Sequence, residues 1–255
     1  MNTPTSMPQQ LITLFYVETL KLKRTSVVLM VFVLPLLVIL FLLGLALKSQ
    51  DVSLFTAENW QKWWMGVAAL WSYFMLPLFI ALISSAINGN EHKNEGWRLM
   101  LSLPVSLTGL YSAKCVLSAL LTLLASLMLW FYGLLGAGAL TLFGAPFDPT
   151  AGAILLFSVP SLWLASLPVL VIQHAISWRF GNIIIPLSVA VVATMGIVQI
   201  GSSEFWVYYP WSYMMMATLA GNDELRQQAL VIAPALATAL FWLSAQFAAI
   251  NKRAG

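Results

Sequence analysis

The chain has 255 residues, 60% of them hydrophobic and only 8% charged, with a mean hydropathy of +0.88, whereas soluble domains carry about 25% charged residues. A soluble globular protein is thereby excluded, and a net charge of +3, dispersed along the chain, does not suit a nucleic-acid binder. The single cysteine, Cys115, leaves no intrachain disulfide and no zinc or redox motif. In chain order, the opening Met-Asn-Thr-Pro-Thr-Ser lacks the basic-then-apolar order of a cleavable signal, so the first span is expected to be retained. Residues 8–24 then place Leu11, Leu14, Phe15 and Leu22 at helical spacing around Glu18, and end in Lys21, Lys23 and Arg24. This predicts an amphipathic helix lying on the membrane surface, its terminal cations toward lipid headgroups. A cytoplasmic extension of the first span is the alternative.

Six stretches near 26–47, 65–87, 115–139, 152–173, 182–201 and 229–249 are long enough for a hydrocarbon core of ~30 Å, which takes about 20 residues each. The expected fold class is therefore an all-α polytopic membrane protein with six transmembrane helices, forming one domain over residues 1–255. Five of these stretches hold prolines: Pro35, Pro77, Pro160 with Pro168, Pro186, and Pro234. Bilayer helices tolerate proline because neighbours re-satisfy the freed backbone groups. The third holds Gly133, Gly136 and Gly138 instead, which permit close helix contact. Trp60, Trp63, Trp64, Trp206, Tyr208, Tyr209, Trp211 and Tyr213 are expected to form an interfacial aromatic belt. Within residues 202–228, Tyr-Tyr-Pro-Trp-Ser-Tyr is unusually rich in large rings. It either dips back into the outer leaflet, where non-helical backbone must be covered by protein, or forms a plain interfacial loop.

Lysine and arginine set the orientation. With the N-terminus inside, the inner side receives Lys21, Lys23, Arg24, Lys93, Arg98, Lys114, Arg179, Lys252 and Arg253, and the outer side only Lys48, Lys62 and Arg226. Both termini are thus expected in the cytoplasm, and residues 88–114 form the larger cytoplasmic loop.

Chemistry is sparse. No Asp, Glu, Lys or Arg lies near the middle of a span, where an intramembrane enzyme or an ion-coupled carrier commonly needs one. His92 and His174 are far apart in sequence and have no carboxylates at ligand spacing, which makes a poor metal site. Asn182, Gln199 and Gln246 suit hydrogen bonds between helices better than a relay. No lysine follows a glycine, so there is no phosphate-binding loop and the chain cannot hydrolyse ATP alone. A pore-forming subunit driven by a separate ATPase remains, and the loop after Asn88 would be its receiver.

Within that loop Asn90 is expected to cap a helix running to about Ser102, with Glu91 in its first turn. Glu91, Glu95, Arg98 and Ser102 share one face, and Trp97, Met100 and Leu101 the other. Pro104 ends this helix, Ser106 or Thr108 caps the next, and Lys114, one turn inside the third span, is placed to snorkel to the cytoplasm. Such a helix joins two spans directly and can transmit force between them; one that only anchors the spans is the other reading.

The run Glu-His-Lys-Asn-Glu-Gly-Trp-Arg-Leu-Met-Leu-Ser-Leu-Pro-Val-Ser, followed by Tyr111 and Lys114, resembles the segment between the second and third spans of ABC-2 type permeases. The likeness is greatest to the lantibiotic and peptide-antibiotic immunity branch, and Tyr-Pro-Trp-Ser at 209–212 is similar to that branch's outer segment before the last span. Leu107 and Trp97 depart from it, standing where many relatives carry a basic residue and a threonine. The resemblance implies a bacterial cytoplasmic-membrane exporter in which two permeases, identical or sister subunits, join two ATP-binding cassette ATPases. The coupling helix would be 91–101, with Glu91, Lys93, Glu95, Trp97 and Arg98 at the ATPase. ATP and Mg would sit on the partner, the second and fifth spans would flank the pathway, and a hydrophobic or peptide cargo, antimicrobial peptides among them, would move outward. The residues read alone leave a secondary carrier or a non-transporting membrane scaffold as rivals.

Overall fold

The computed structural model describes residues 7–23, 25–49, 51–92, 106–148, 151–201, 203–218 and 222–251. Among them every regular element is helical: α1 (Met7–Leu22), α2 (Val27–Ser49), α3 (Ala57–Leu70), α4 (Leu76–His92), α5 (Leu107–Leu142), α6 (Ala151–Arg179), α7 (Ile184–Ile200), α8 (Ser212–Thr218) and α9 (Asp223–Asn251), with short 3-10 turns at Val52–Leu54 and Glu204–Tyr208. The all-helical expectation holds for these residues. Five stretches are long and apolar enough to cross a membrane: Val27–Lys48, Ala57–Gly89, Leu107–Leu142, Ser158–Arg179 and Asp223–Ala248. The predicted fifth span is α7, an apolar helix of 17 residues. At 1.5 Å per residue it is about 25 Å long, just short of a ~30 Å core.

Two predicted spans proved much longer than their apolar runs. The second begins at Ala57, because α3 and α4 are one rod joined by a π-helical turn, Trp71–Met75. Pro77 accounts for the turn: it has no N–H to give and its ring crowds the carbonyl four residues back. The helix widens just before it, so that the Leu76 N–H reaches the Trp71 carbonyl. The third span starts at Leu107 instead of 115, capped by Ser106, whose Oγ accepts the Gly109 N–H at 3.1 Å.

The tryptophans do not form a lipid-facing belt. Trp60, Trp63 and Trp64 are 3–7% exposed and stack edge to face, their centroids 6.2 and 4.8 Å apart, the geometry ring quadrupoles favour. They lie in the groove that Gly133 and Gly136 open on α5: a Cβ at Gly133 would stand 2.6 Å from Trp64, and one at Gly136 2.9 Å from Ile39 of α2 and 3.2 Å from Trp63. Two large rings and a neighbouring helix therefore need two missing side chains. The Trp60 indole N–H closes the layer by donating to the Pro146 carbonyl at 2.9 Å. Pro146 follows the turn that ends α5, in which Gly144 takes a φ of +106° that residues with a Cβ rarely adopt.

Within the aromatic 202–228 segment, residues 203–218 fold back against the bundle instead of forming a plain loop. Trp211, Tyr213, Met214 and Met216 are buried, and α8 packs against α6, α9 and the π-turn. Ser212 Oγ, 2.6 Å from the carbonyls of both Trp206 and Tyr209, fixes the turn into α8. At the other end Thr218 Oγ1 lies 3.2 Å from Ser72 Oγ in the π-turn. Tyr209 donates to the Ala193 carbonyl at 2.6 Å and anchors the segment to α7.

Gly133→Ala should lower stability by about 1–3 kcal/mol, the usual cost of overpacking. Gly138→Ala, with nothing within 4 Å of the added Cβ, should be neutral or stabilising by up to about 1 kcal/mol. Thermal unfolding of the purified protein in detergent checks both, and equal midpoints would show that the glycine groove is not needed.

Candidate functional site

The ends of α4 and α5 flank residues 93–105, and each carries a charge that the other needs. Lys114 on α5 is fully buried and uses all three ammonium protons, donating to Glu18 Oε2 at 2.7 Å, Glu91 Oε2 at 2.8 Å and the Ile87 carbonyl at 2.9 Å. Lys21 donates to the remaining oxygens, Glu18 Oε1 at 2.5 Å and Glu91 Oε1 at 2.8 Å. Each carboxylate therefore bridges both lysines through a different oxygen. Glu18 and Glu91 are 3% exposed and Lys21 27%. Two acids and two bases cancel, every carboxylate oxygen is paired, and only Lys21 opens outward. Burying charge costs several kcal/mol per ion unless it is paired and hydrogen-bonded, as this ring is.

A second polar set adjoins the ring on the same two helices, three residues from Glu91 and from Lys114. Asn88 Nδ2 donates to Ser177 Oγ at 2.7 Å and to His174 Nδ1 at 3.2 Å. His174 Nε2 donates to the Tyr111 carbonyl at 3.2 Å, and Tyr111 donates to Ser244 of α9 at 2.8 Å. His92, the last residue of α4, reaches the Trp178 carbonyl at 3.2 Å. Four helices, α4, α5, α6 and α9, are thus tied by hydrogen bonds beside the loop. Hydrogen bonds that cross between packed helices stiffen the block, although Asn88 Oδ1 finds no partner in it.

Several sequence expectations change here. No helix starts at Asn90, since α4 runs unbroken through it to His92. Lys114 does not snorkel: two buried carboxylates and a carbonyl hold it inside. Glu91, expected on a face presented to the ATPase, turns inward and spends both oxygens on lysines. Lys93, Glu95, Trp97 and Arg98, with the rest of the expected coupling helix, lie outside the described residues. The outward face of α1 is apolar, not polar: Ile12 is 70% exposed and Tyr16 61%, with Val17 and Leu20 beside them. Its charge points inward through Glu18. Gln199 and Gln246 are exposed, and Asn182 Oδ1 accepts the Ile184 N–H at the start of α7, so none of the three joins helices. Glu18, Lys21, Asn88 and Tyr111 were missed as site residues. A lone acid in the apolar stripe of α1 and a lone lysine inside an apolar helix were the signal, since such charges need each other.

The sequence pattern of the ABC-2 family transporter proteins matches residues 14–197, well over half of the chain. The chain belongs to the ABC-2 transporter family. Members of this family are membrane subunits of ABC transporters, with a transport and not a catalytic role, and generally work with an ATPase subunit. The apolar helices agree with a membrane-embedded protein. No curated protein and no solved structure matches the chain. The family match covers both flanks of residues 93–105, α1 from Leu14 onward, and therefore all four charges of the ring.

The ring sets a pH window. Burial opposes charge on Glu91, but Lys114 and then Lys21 outweigh it and hold the carboxyl below its ordinary 4.5. Burial likewise opposes charge on Lys21, and bonds to Glu18 and Glu91 hold it above its ordinary 10.5. A depressed acid stabilises the fold above 4.5 and loses that contribution as pH falls through its folded value; a raised lysine stabilises below 10.5 and loses it as pH rises through its own. Thermal stability in detergent should therefore be flat between these limits and fall on either side. Lys114→Met strands two buried carboxylates on one lysine and should cost about 3–5 kcal/mol. A loss under 1 kcal/mol would mean that the ring is not intact in the folded protein.

Proposed function

We propose that this chain is the permease subunit of an ATP-binding cassette exporter, moving a hydrophobic or peptide substrate outward at the expense of ATP hydrolysed by a separate subunit. The family match carries this reading. It is supported by the braced ends of residues 93–105, because a segment that receives force must leave from helices that do not yield. In this reading the residues that meet the ATPase are Lys93, Glu95, Trp97 and Arg98. Glu91 acts behind them, holding the end of α4 to α5. ATP-driven closure of the motor would displace the loop and rock the attached helices, switching access from the inside or inner leaflet to the outside.

Further expectations belong to the same reading. α7 completes six spans by tilting little or by local thinning of the bilayer. Both termini lie in the cytoplasm, as the lysine and arginine distribution favours, the membrane is a bacterial cytoplasmic membrane, as the family resemblance implies, and α1, apolar on its outward face with Lys23 beyond its end, rests against lipid. The permease works as a pair, identical or with a sister subunit, on two ATPases that hold the ATP and Mg. The likeness to the peptide-antibiotic immunity branch makes an antimicrobial peptide the first cargo to test.

Affinity purification from the native membrane should bring down a protein with a Walker phosphate-binding loop, and ATPase activity should require both chains. Glu95→Lys with Arg98→Glu should lower permease-dependent ATPase activity at least ten-fold without lowering the amount of permease in the membrane. Uptake driven by a proton gradient without ATP would make the chain a secondary carrier. A stable protein with no ATPase and no flux would leave the scaffold reading.

A further inference from the structure

The ring of charges does more than brace the loop, because half of it stands on a helix to which the coupling reading gives no part. Glu18 and Lys21 belong to α1, which has little else to hold it. Its outward residues Ile12, Tyr16, Val17 and Leu20 are 40–70% exposed, and its inward contact is with α5, where Leu11 and Leu14 close over Gly109. Gly109 is also where Ser106 caps α5, so α1 rests on the very turn at which the loop re-enters the bundle. Lys21 ties α1 to Glu91, at the exit from α4, and Glu18 ties it to Lys114, at the entry to α5. Glu91 and Lys114 also pair across the base of the loop. The three helices α1, α4 and α5 are therefore joined pairwise by buried ion pairs at 2.7–2.8 Å, and α2 begins only four residues after α1 ends.

We propose that Glu18 and Lys21 are positioning residues for coupling: through Lys114 and Glu91 they make α1 move with the base of the 93–105 loop, so that force from the ATPase enters the first span as well as the second and third. Apolar contact alone would let α1 slide, since Leu against Leu is nearly indifferent to register. Four charges in a closed ring are not, because any slip leaves a buried ion without its partner. The ring supplies a rigid link where packing would supply a soft one. The inference rests on the permease reading, and its test separates the two.

The test uses the complex of the permease with its copurified ATPase in lipid nanodiscs, with Cys115→Ala to remove the native thiol. Spin labels at Thr13→Cys on the exposed face of α1 and Thr238→Cys on the exposed face of α9 report α1; Thr108→Cys, in the first turn of α5, with Thr238→Cys reports the base of the loop. Pulsed electron resonance compares the nucleotide-free state with ATP plus vanadate. In the otherwise wild-type protein both distances should shift. In Glu18→Gln/Lys21→Gln, which removes both ties of α1 and leaves the neutral Lys114–Glu91 pair in place, the loop should still shift and α1 should not. An α1 shift that survives the substitution overturns the proposal, as does an otherwise wild-type complex in which the loop moves and α1 stays. Should the first variant fail to assemble, Glu18→Leu/Lys21→Met, which also frees α1 and keeps Lys114–Glu91, is read in the same way, and the wild-type comparison decides alone if both fail. A chain that assembles with no ATPase overturns the permease reading and the inference with it.

Discussion

Two buried carboxylates shared between a buried ammonium group and one that opens outward constrain this molecule more tightly than its apolar contacts do. Lys114 lies in a helix that is otherwise apolar or weakly polar, and its charge is tolerable only because Glu18, Glu91 and the Ile87 carbonyl surround it. Those groups come from two other helices, so α1 and α4 must be in place before α5 can bury its lysine. Hydrophobic packing tolerates small shifts along a helix axis; the ring does not. It fixes the register of three helices beside the two flanks of residues 93–105.

The polar stripe continues along α5. Ser118, Thr122 and Ser126 follow Lys114 at four-residue steps, each buried and each returning its hydroxyl to the carbonyl one turn back. Back-bonding of this kind satisfies the hydroxyl without a partner helix and relaxes the helix slightly. At the far end Trp71 donates to Ser126 at 3.3 Å, one residue from Ser72 and its contact with α8. Beyond lie Gly133 and Gly136, where small size replaces polarity as the means of close approach. One face of α5 thus changes character along its length, from charge to hydroxyl to glycine, and a different neighbour meets each part.

Membership of the ABC-2 family gives these features a setting. A membrane subunit that works with an external motor needs a soluble segment to receive force and stiff helices to carry it. Residues 93–105 are flanked by His92, which bonds to α6, and by Ser106, whose cap is covered by α1. These flanks are held by ions, hydrogen bonds and packing together.

Much of the fold was legible in the sequence, because long apolar runs in a chain this poor in charge have few alternatives to helices that cross lipid. Composition and periodicity located α2, α4, α5, α6, α7 and α9, and Ser106 announced the start of α5 through ordinary capping chemistry. The motif from Glu91 to Ser106 led to the family by likeness. What the sequence could not supply was partnership. Glu91 reads locally as the first turn of an exposed helix, Lys114 as a snorkelling cation and Glu18 as a surface acid, since each obeys rules that look only a few residues away. Their roles are decided across separations of 23, 70 and 96 residues, by which helices pack together. Likewise Trp63 and Trp64 carry the signature of an interface, and only the groove opposite them on α5 turns them inward. Local chemistry chose the helices; the need of each buried charge and ring for a complement elsewhere in the chain chose how they meet.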